Sequence, residues 1–201
     1  MVRDAKILSV IAAAMLAVGL GLVAFNDYGA AAPADSGKVS LSPLPGGPVA
    51  AGKLAIDFKL PNLNGTAISL SSLRGKVVFL NVWATWCAPC REEMPSIETL
   101  YEEFSKDPDF VVLAVSQDSG GRSAVDSYVH RNGLKFNVLL DPQNEVGEAY
   151  DVSGIPETFI IDRAGRIVAH HVGPYDWAQP EMRDALRELI ETKDNQTARA
   201  G

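Results

Sequence analysis

The sequence predicts a three-layer α/β domain over residues 53–193, and three observations carry that expectation. Residues 76–83 and 110–116 are continuous apolar, β-branched runs, as found in strands covered on both faces. Each is followed by a segment whose apolar residues recur at helical spacing. The chain then closes with two further β-rich runs and an amphipathic stretch, so alternating strand and helix end as hairpin and helix.

The elements follow in order. Arg3 and Lys6 precede an uncharged, mostly apolar run over residues 7–25, which at helical rise matches a hydrocarbon core of roughly 30 Å. Its length favours a retained signal anchor over residues 1–25, while the small residues at 28–32 leave cleavage as the alternative. Positive charge ahead of the run, with Asp27 and Asp35 behind it, orients the chain N-in. The bulk then lies in the periplasm or an equivalent extracytoplasmic space. Residues 26–52, rich in Ala, Pro, Gly and Ser, read as a flexible linker. Ile56, Phe58 and Leu60, the turn at Asn64-Gly65, and Ala67, Ile68 and Leu70 read as an N-terminal hairpin.

A short turn over 69–76 leads into the first core strand. The helix that starts at the cysteines is expected to reach 106, kinked at Pro95 and stopped by Asp107-Pro108. After the strand at 110–116 come a loop, a helix over 123–131 stopped by Asn132-Gly133, a strand over 136–140 and a short helix over 144–150. Residues 158–162 and 167–172 form a hairpin around Arg163-Ala164-Gly165-Arg166. Residues 180–192 form a helix with Met182, Leu186, Leu189 and Ile190 on its apolar side, and a polar tail occupies 194–201.

A net charge of −7 removes nucleic acid from the partners expected, because no basic stripe offsets phosphate repulsion. The only two cysteines, Cys87 and Cys90, stand two residues apart between a strand and a helix. Such a pair alone serves redox, metal or structural roles. A ring this short removes little unfolded-chain entropy, and zinc would need two further ligands nearby, so strand, cysteine turn and helix favour redox chemistry.

Asn81-Val82-Trp83-Ala84-Thr85-Trp86-Cys87-Ala88-Pro89-Cys90-Arg91-Glu92-Glu93-Met94-Pro95 resembles the active site of membrane-anchored, thioredoxin-like proteins of the TlpA/ResA/CcmG (DsbE) group. Gly154-Ile155-Pro156-Glu157-Thr158-Phe159-Ile160-Ile161-Asp162 resembles that group's second signature. The resemblance implies a thioredoxin-like fold with a central mixed sheet, an N-terminal hairpin and a strand–helix insertion around 110–131. It also implies a cis Pro156 facing the cysteines, a redox-active Cys87–Cys90 disulfide, and reduction of protein disulfides outside the cytoplasm. Members serve cytochrome c maturation or assembly of oxidase copper centres, and take electrons from a membrane protein of the thiol-reducing pathway. The partners implied are thus apocytochrome c or copper-centre assembly proteins, that donor, and the inner membrane through the anchor. No cofactor is expected, and a monomer is.

The residues carry roles of their own. Cys87, where strand becomes helix, gains from unpaired N–H groups and the helix dipole, so it is the candidate nucleophile. Cys90, a turn on and more buried, resolves the mixed disulfide. Pro89 can begin a helix without cost and tunes the thiolate. Glu93 can share the face of Cys90 and accept its proton; a solvated helix glutamate is the alternative. Asn81 stands where ordinary thioredoxins have a buried aspartate, which makes Glu93 the better acceptor. Ile155 and Pro156 are expected to face substrate, against an ordinary trans proline. Trp86 shields Cys87 or docks substrate, and Trp83 is core. Glu157 is either an acidic neighbour of the site or a surface charge. His130, His170 and His171 are read as ordinary strand or surface residues. A copper metallochaperone using the cysteines with His170 or His171, and a periplasmic thiol oxidant, are the competing functions.

Overall fold

The computed structural model describes residues 52–192. The anchor over 1–25, almost all of the linker over 26–52, and the tail over 194–201 lie outside the described residues. No helix among the described residues is long and apolar enough to cross a membrane.

Strands β1 (Lys59–Pro61) and β2 (Ala67–Ser69) form the expected hairpin, with Leu60 opposite Ile68. Its turn is held by the Asn62 carboxamide oxygen, which accepts the N–H groups of Asn64 and Thr66, while Gly65 takes the left-handed conformation at φ 81°. The strand portion is shorter than the alternation from Ile56 suggests, because Ile56 is exposed and the segment before Lys59 pairs with nothing longer than an isolated bridge at Leu54. The turn that follows contains a 3-10 helix over Leu70–Leu73.

The remaining strands are β3 (Val77–Trp83), β4 (Phe110–Ser116), β5 (Asn137–Leu140), β6 (Glu157–Ile161) and β7 (Ile167–Val172). They make one mixed sheet in the order β5-β4-β3-β6-β7. Strands β3, β4 and β5 run parallel, whereas β6 is antiparallel to both β3 and β7. All seven residues of β3 are buried, which explains its unbroken apolar run. The helices are α1 (Ala88–Phe104), α2 (Arg122–Asn132), α3 (Glu145–Ala149) and α4 (Pro180–Glu191). Val77, Phe79 and Trp83 join one core with residues of α1, α2 and α4. Val78, Leu80 and Val82 join the other with Phe58, Leu60, Leu70 and Val146. This is the thioredoxin-like, three-layer arrangement, with the inserted strand–helix realised as β4 and α2.

Boundaries shift for identifiable reasons. Cys87 is the cap rather than the first residue of α1, and the helix ends at Phe104 instead of 106. It runs unbroken through Pro95, whose carbonyl accepts the Thr99 hydroxyl. α3 starts under Asp141, whose two carboxylate oxygens accept the N–H groups of Glu145 and Val146.

Candidate active site

Trp83 ends β3, and Cys87 caps α1 in an extended conformation. The Cys90 N–H donates to Cys87 Sγ at 3.2 Å, so one of the orphan donors of the helix start is spent on that sulfur. Pro89 occupies the first turn, where an N–H would have no partner. Cys87 and Cys90 are joined as a disulfide. Cys87 is 6 % exposed and Cys90 0 %, the order required of an attacking and a resolving sulfur. Ile155–Pro156 is cis, and the Ile155 carbonyl oxygen lies 3.6 Å from Cys87 Sγ. In this oxidised state the sulfur has no proton to donate, so the approach is a contact. Trp86 is 66 % exposed and Ile155 half-buried, so apolar surface adjoins the disulfide. Trp83 is core, against the Tyr128 ring.

The loop between Trp83 and Cys87 is pinned by a residue with no sequence signal. Asp118, 6 % exposed, accepts the Thr85 N–H at 2.9 Å, the Thr85 hydroxyl at 2.5 Å and the Ser116 hydroxyl at 2.7 Å. Replacing Asp118 by alanine leaves these donors unpaired in a buried place. A loss of about 2–4 kcal/mol in unfolding free energy is expected from urea titration of the oxidised protein. A loss below about 0.5 kcal/mol, the scale of an unremarkable surface change, would show that the loop holds itself.

Glu93 lies one helical turn beyond Cys90 and is 2 % exposed. Its Oε1 accepts Asn81 Nδ2 at 2.8 Å; its Oε2 accepts Trp177 Nε1 at 2.9 Å and the Tyr175 N–H at 3.3 Å. Burial pushes the carboxyl up to about 7, and the donors from Trp177, Asn81 and Tyr175 hold it back only in part. The solvated alternative for Glu93 is therefore excluded. Asn81 is fully buried in β3 and also gives Nδ2 to Thr158 Oγ1 at 3.0 Å. Trp177 and Tyr175 carry no sequence signal for this role; they come from the irregular segment after β7. Ser96 braces that segment, its hydroxyl accepting the Trp177 N–H at 3.0 Å and donating to the Glu93 carbonyl at 2.7 Å. A cleft of roughly 370 Å³ opens here, lined by Glu92, Glu93, Ser96, Pro174, Tyr175 and Asp176.

Glu157 corrects the surface reading: it is 1 % exposed, and one carboxylate oxygen meets His170 Nε2. The His170 ring stacks on Phe159 with centroids 4.4 Å apart. His171 donates a ring N–H to the Pro174 carbonyl, and burial holds its basicity down. His130 is exposed near Asp126, one helical turn away in α2. Among the described residues, no cluster of three His, Cys, Asp or Glu side chains could hold a metal.

Residues 51–170 match the model of the AhpC/TSA family. The chain belongs to that family. It is 42% identical to thiol-disulfide oxidoreductase ResA of Geobacillus kaustophilus over 119 residues, 59% of this chain and 67% of the relative. ResA of Halalkalibacterium halodurans is 40% identical over 140 residues, 70% of this chain and 77% of that protein. Of solved structures, a DsbE-type thiol:disulfide interchange protein from Chlorobium tepidum aligns with a TM-score of 0.60 at 33% identity, covering 70% of this chain and 94% of its own. StoA from Bacillus subtilis aligns at 0.56 and 25% identity, covering 68% and 97%. The resemblance read from the two signatures stands, and this AhpC/TSA-family member is a thiol–disulfide oxidoreductase of thioredoxin-like fold.

Proposed function

We propose that the protein is an exported, membrane-tethered reductant of protein disulfides, with Cys87 as nucleophile, Cys90 as resolving thiol and Glu93 as the acceptor of its proton. The observation that carries this reading is the capped pair together with a buried carboxyl, poised near neutrality, one turn beyond Cys90. In the reduced enzyme, the Cys90 N–H and the start of α1 favour the Cys87 thiolate. That thiolate attacks a substrate disulfide, forming a Cys87–substrate bond and expelling one substrate thiolate. Cys90 gives its proton to the Glu93 carboxylate and attacks Cys87 Sγ, expelling the second substrate sulfur and leaving the disulfide seen here. Trp86, Pro89 and Ile155 form the substrate-facing rim, and Pro156, itself buried, holds Ile155 there through the cis bond.

A donor of two electrons and two protons must then restore the dithiol; a membrane protein of a thiol-reducing pathway fits an anchored, N-in enzyme with its domain in the periplasm or an equivalent space. Apocytochrome c and copper-centre assembly proteins are the proposed substrates, in keeping with the family resemblance.

Cys90→Ser tests the reading, because it stops the reaction after the first step. Expressed as the full chain, it should accumulate a covalent adduct through Cys87 that reducing agent releases, and mass spectrometry of the released protein names the substrate. Adducts formed instead by Cys87→Ser would reverse the two cysteine roles. A two-electron potential near that of the strongest natural oxidants, about −120 mV, would overturn the reductive direction.

A further inference from the structure

We propose that Asn81 is a two-faced positioning residue for Glu93: its side-chain amide presents Nδ2 to the carboxylate, and turns to present Oδ1 once that carboxyl carries a proton. For its consequence in the reaction this rests on Glu93 being the proton acceptor; the hydrogen-bond assignment itself does not.

The donors and acceptors around the carboxyl favour such a turn. Glu93 Oε2 already accepts two N–H groups, from Trp177 Nε1 and from Tyr175. Oε1 accepts only one, from Asn81 Nδ2, so an incoming proton belongs on Oε1. On the free lone pair of Oε1 that proton finds no acceptor among the hydrogen-bonded partners of Glu93, all of which are N–H donors, in a site where the carboxyl is 2 % exposed. Turning the amide about its Cβ–Cγ bond supplies one, because Oδ1 then accepts from the Glu93 hydroxyl. Thr158 permits the turn: its hydroxyl accepts from Nδ2 in the orientation seen here, and donates to Oδ1 in the other.

The far side of the amide sets the cost of the turn. Asn81 Oδ1 is buried and has no hydrogen-bond partner among the described residues. The turn exchanges that unpartnered carbonyl for an unpartnered NH2, a cost that the bonds from the Glu93 and Thr158 hydroxyls to Oδ1 must offset. An aspartate at this position could donate only if protonated itself, and a leucine could serve neither state of Glu93. The other ionisable groups around this cluster are Cys90 and Glu92 on α1, Tyr175 and Asp176 in the segment after β7, and His171, which stands opposite Thr158 across β6 and β7. None of them is hydrogen-bonded to the Asn81 amide.

Nuclear magnetic resonance on the oxidised, nitrogen-15-labelled full chain reads the turn without any substitution. Nuclear Overhauser contacts between the Asn81 NH2 protons and the Thr158 side chain are expected above the Glu93 midpoint. They should fade as pH falls through it, with the same midpoint as the Glu93 carboxyl carbon. Contacts that persist unchanged on both sides of the midpoint would overturn the proposal. In Glu93→Gln the contacts should be the same at every pH, since Gln carries no titrating proton.

A second measurement uses Asn81→Ala. A charged hydrogen bond is worth more than a neutral one, so its loss should raise the Glu93 carboxyl midpoint by about one pH unit. An unmoved midpoint in a folded variant would also overturn the proposal. The turn and the raised midpoint, found together with a pH-independent rate of mixed-disulfide resolution, would sustain this assignment and sink the proton-acceptor role instead.

Discussion

Cys87→Ser should reduce insulin-disulfide or apocytochrome turnover to the uncatalysed rate, a loss on the order of a thousandfold or more, the scale for removing a nucleophile from a catalytic unit. A serine hydroxyl at this position meets the same Cys90 N–H at the start of α1, but it stays protonated at neutral pH, and only the thiolate attacks sulfur. The fold should survive. The bridge spans a sequence separation of three, for which chain entropy supplies only about 2 kcal/mol. Oxidised wild type should exceed the variant by that amount, and reduced wild type should match it. Urea unfolding in the two redox states checks the stability arm, and turnover with a chemical reductant checks the catalytic one. Residual activity within tenfold of wild type would mean that Cys90 can open the reaction, against its complete burial.

The sulfur chemistry was legible because it is local. A Cys-x-x-Cys pair between a β-rich run and a helical period fixes its own surroundings, and Cys87 at the junction of strand and helix follows from the sequence alone. Burial on both faces made β3 and β4 legible for a similar reason, since an unbroken apolar run has few other places to go. The shell around Glu93 was only half readable. Helical spacing put Glu93 on the face of Cys90, whereas Asn81 was singled out only because it stands where ordinary thioredoxins have an aspartate.

Trp177 and Tyr175 could not, because they lie 84 and 82 residues beyond Glu93 in a segment with no repeat. One of them contributes a backbone N–H, which no side-chain pattern encodes. Asp118 was silent for a related reason: an aspartate just past a strand reads as an ordinary loop residue until its three donors are counted. The burial of Glu157 was hidden by strand alternation. It continues the face that holds Val82 and Phe159, and the partner that makes a carboxyl tolerable there, His170, lies on the neighbouring strand.

Glu93→Gln should separate the stability of the protein from its chemistry, with pH as the lever. The Glu93 carboxyl rises from 4.5 to about 7 on folding, chiefly through loss of solvent. The folded state therefore binds this proton more tightly than the unfolded chain does. Its contribution to stability is complete below the unfolded value and is lost as pH rises through the folded one. Over that window the wild type should lose on the order of 3 kcal/mol from this group, because each pH unit between the two midpoints is worth about 1.4 kcal/mol. Gln has no such proton, so the variant should gain on the wild type by that amount between about pH 4 and about pH 8. Urea unfolding of the oxidised forms at several pH values checks this, and parallel curves would place the carboxyl in a far wetter site than its burial implies.

The chemical consequence runs the other way. Without a carboxylate to take the Cys90 proton, resolution of the Cys87 mixed disulfide should slow by roughly a hundredfold, the lower range for general-base catalysis. Its rate should also lose the rise around neutrality that ionised Glu93 gives the wild type. Rapid-quench measurement of mixed-disulfide decay against pH reads both. A variant that is steadier at alkaline pH and slower only in the second step of exchange is the pairing expected if this buried carboxyl is kept for proton transfer at a cost in stability.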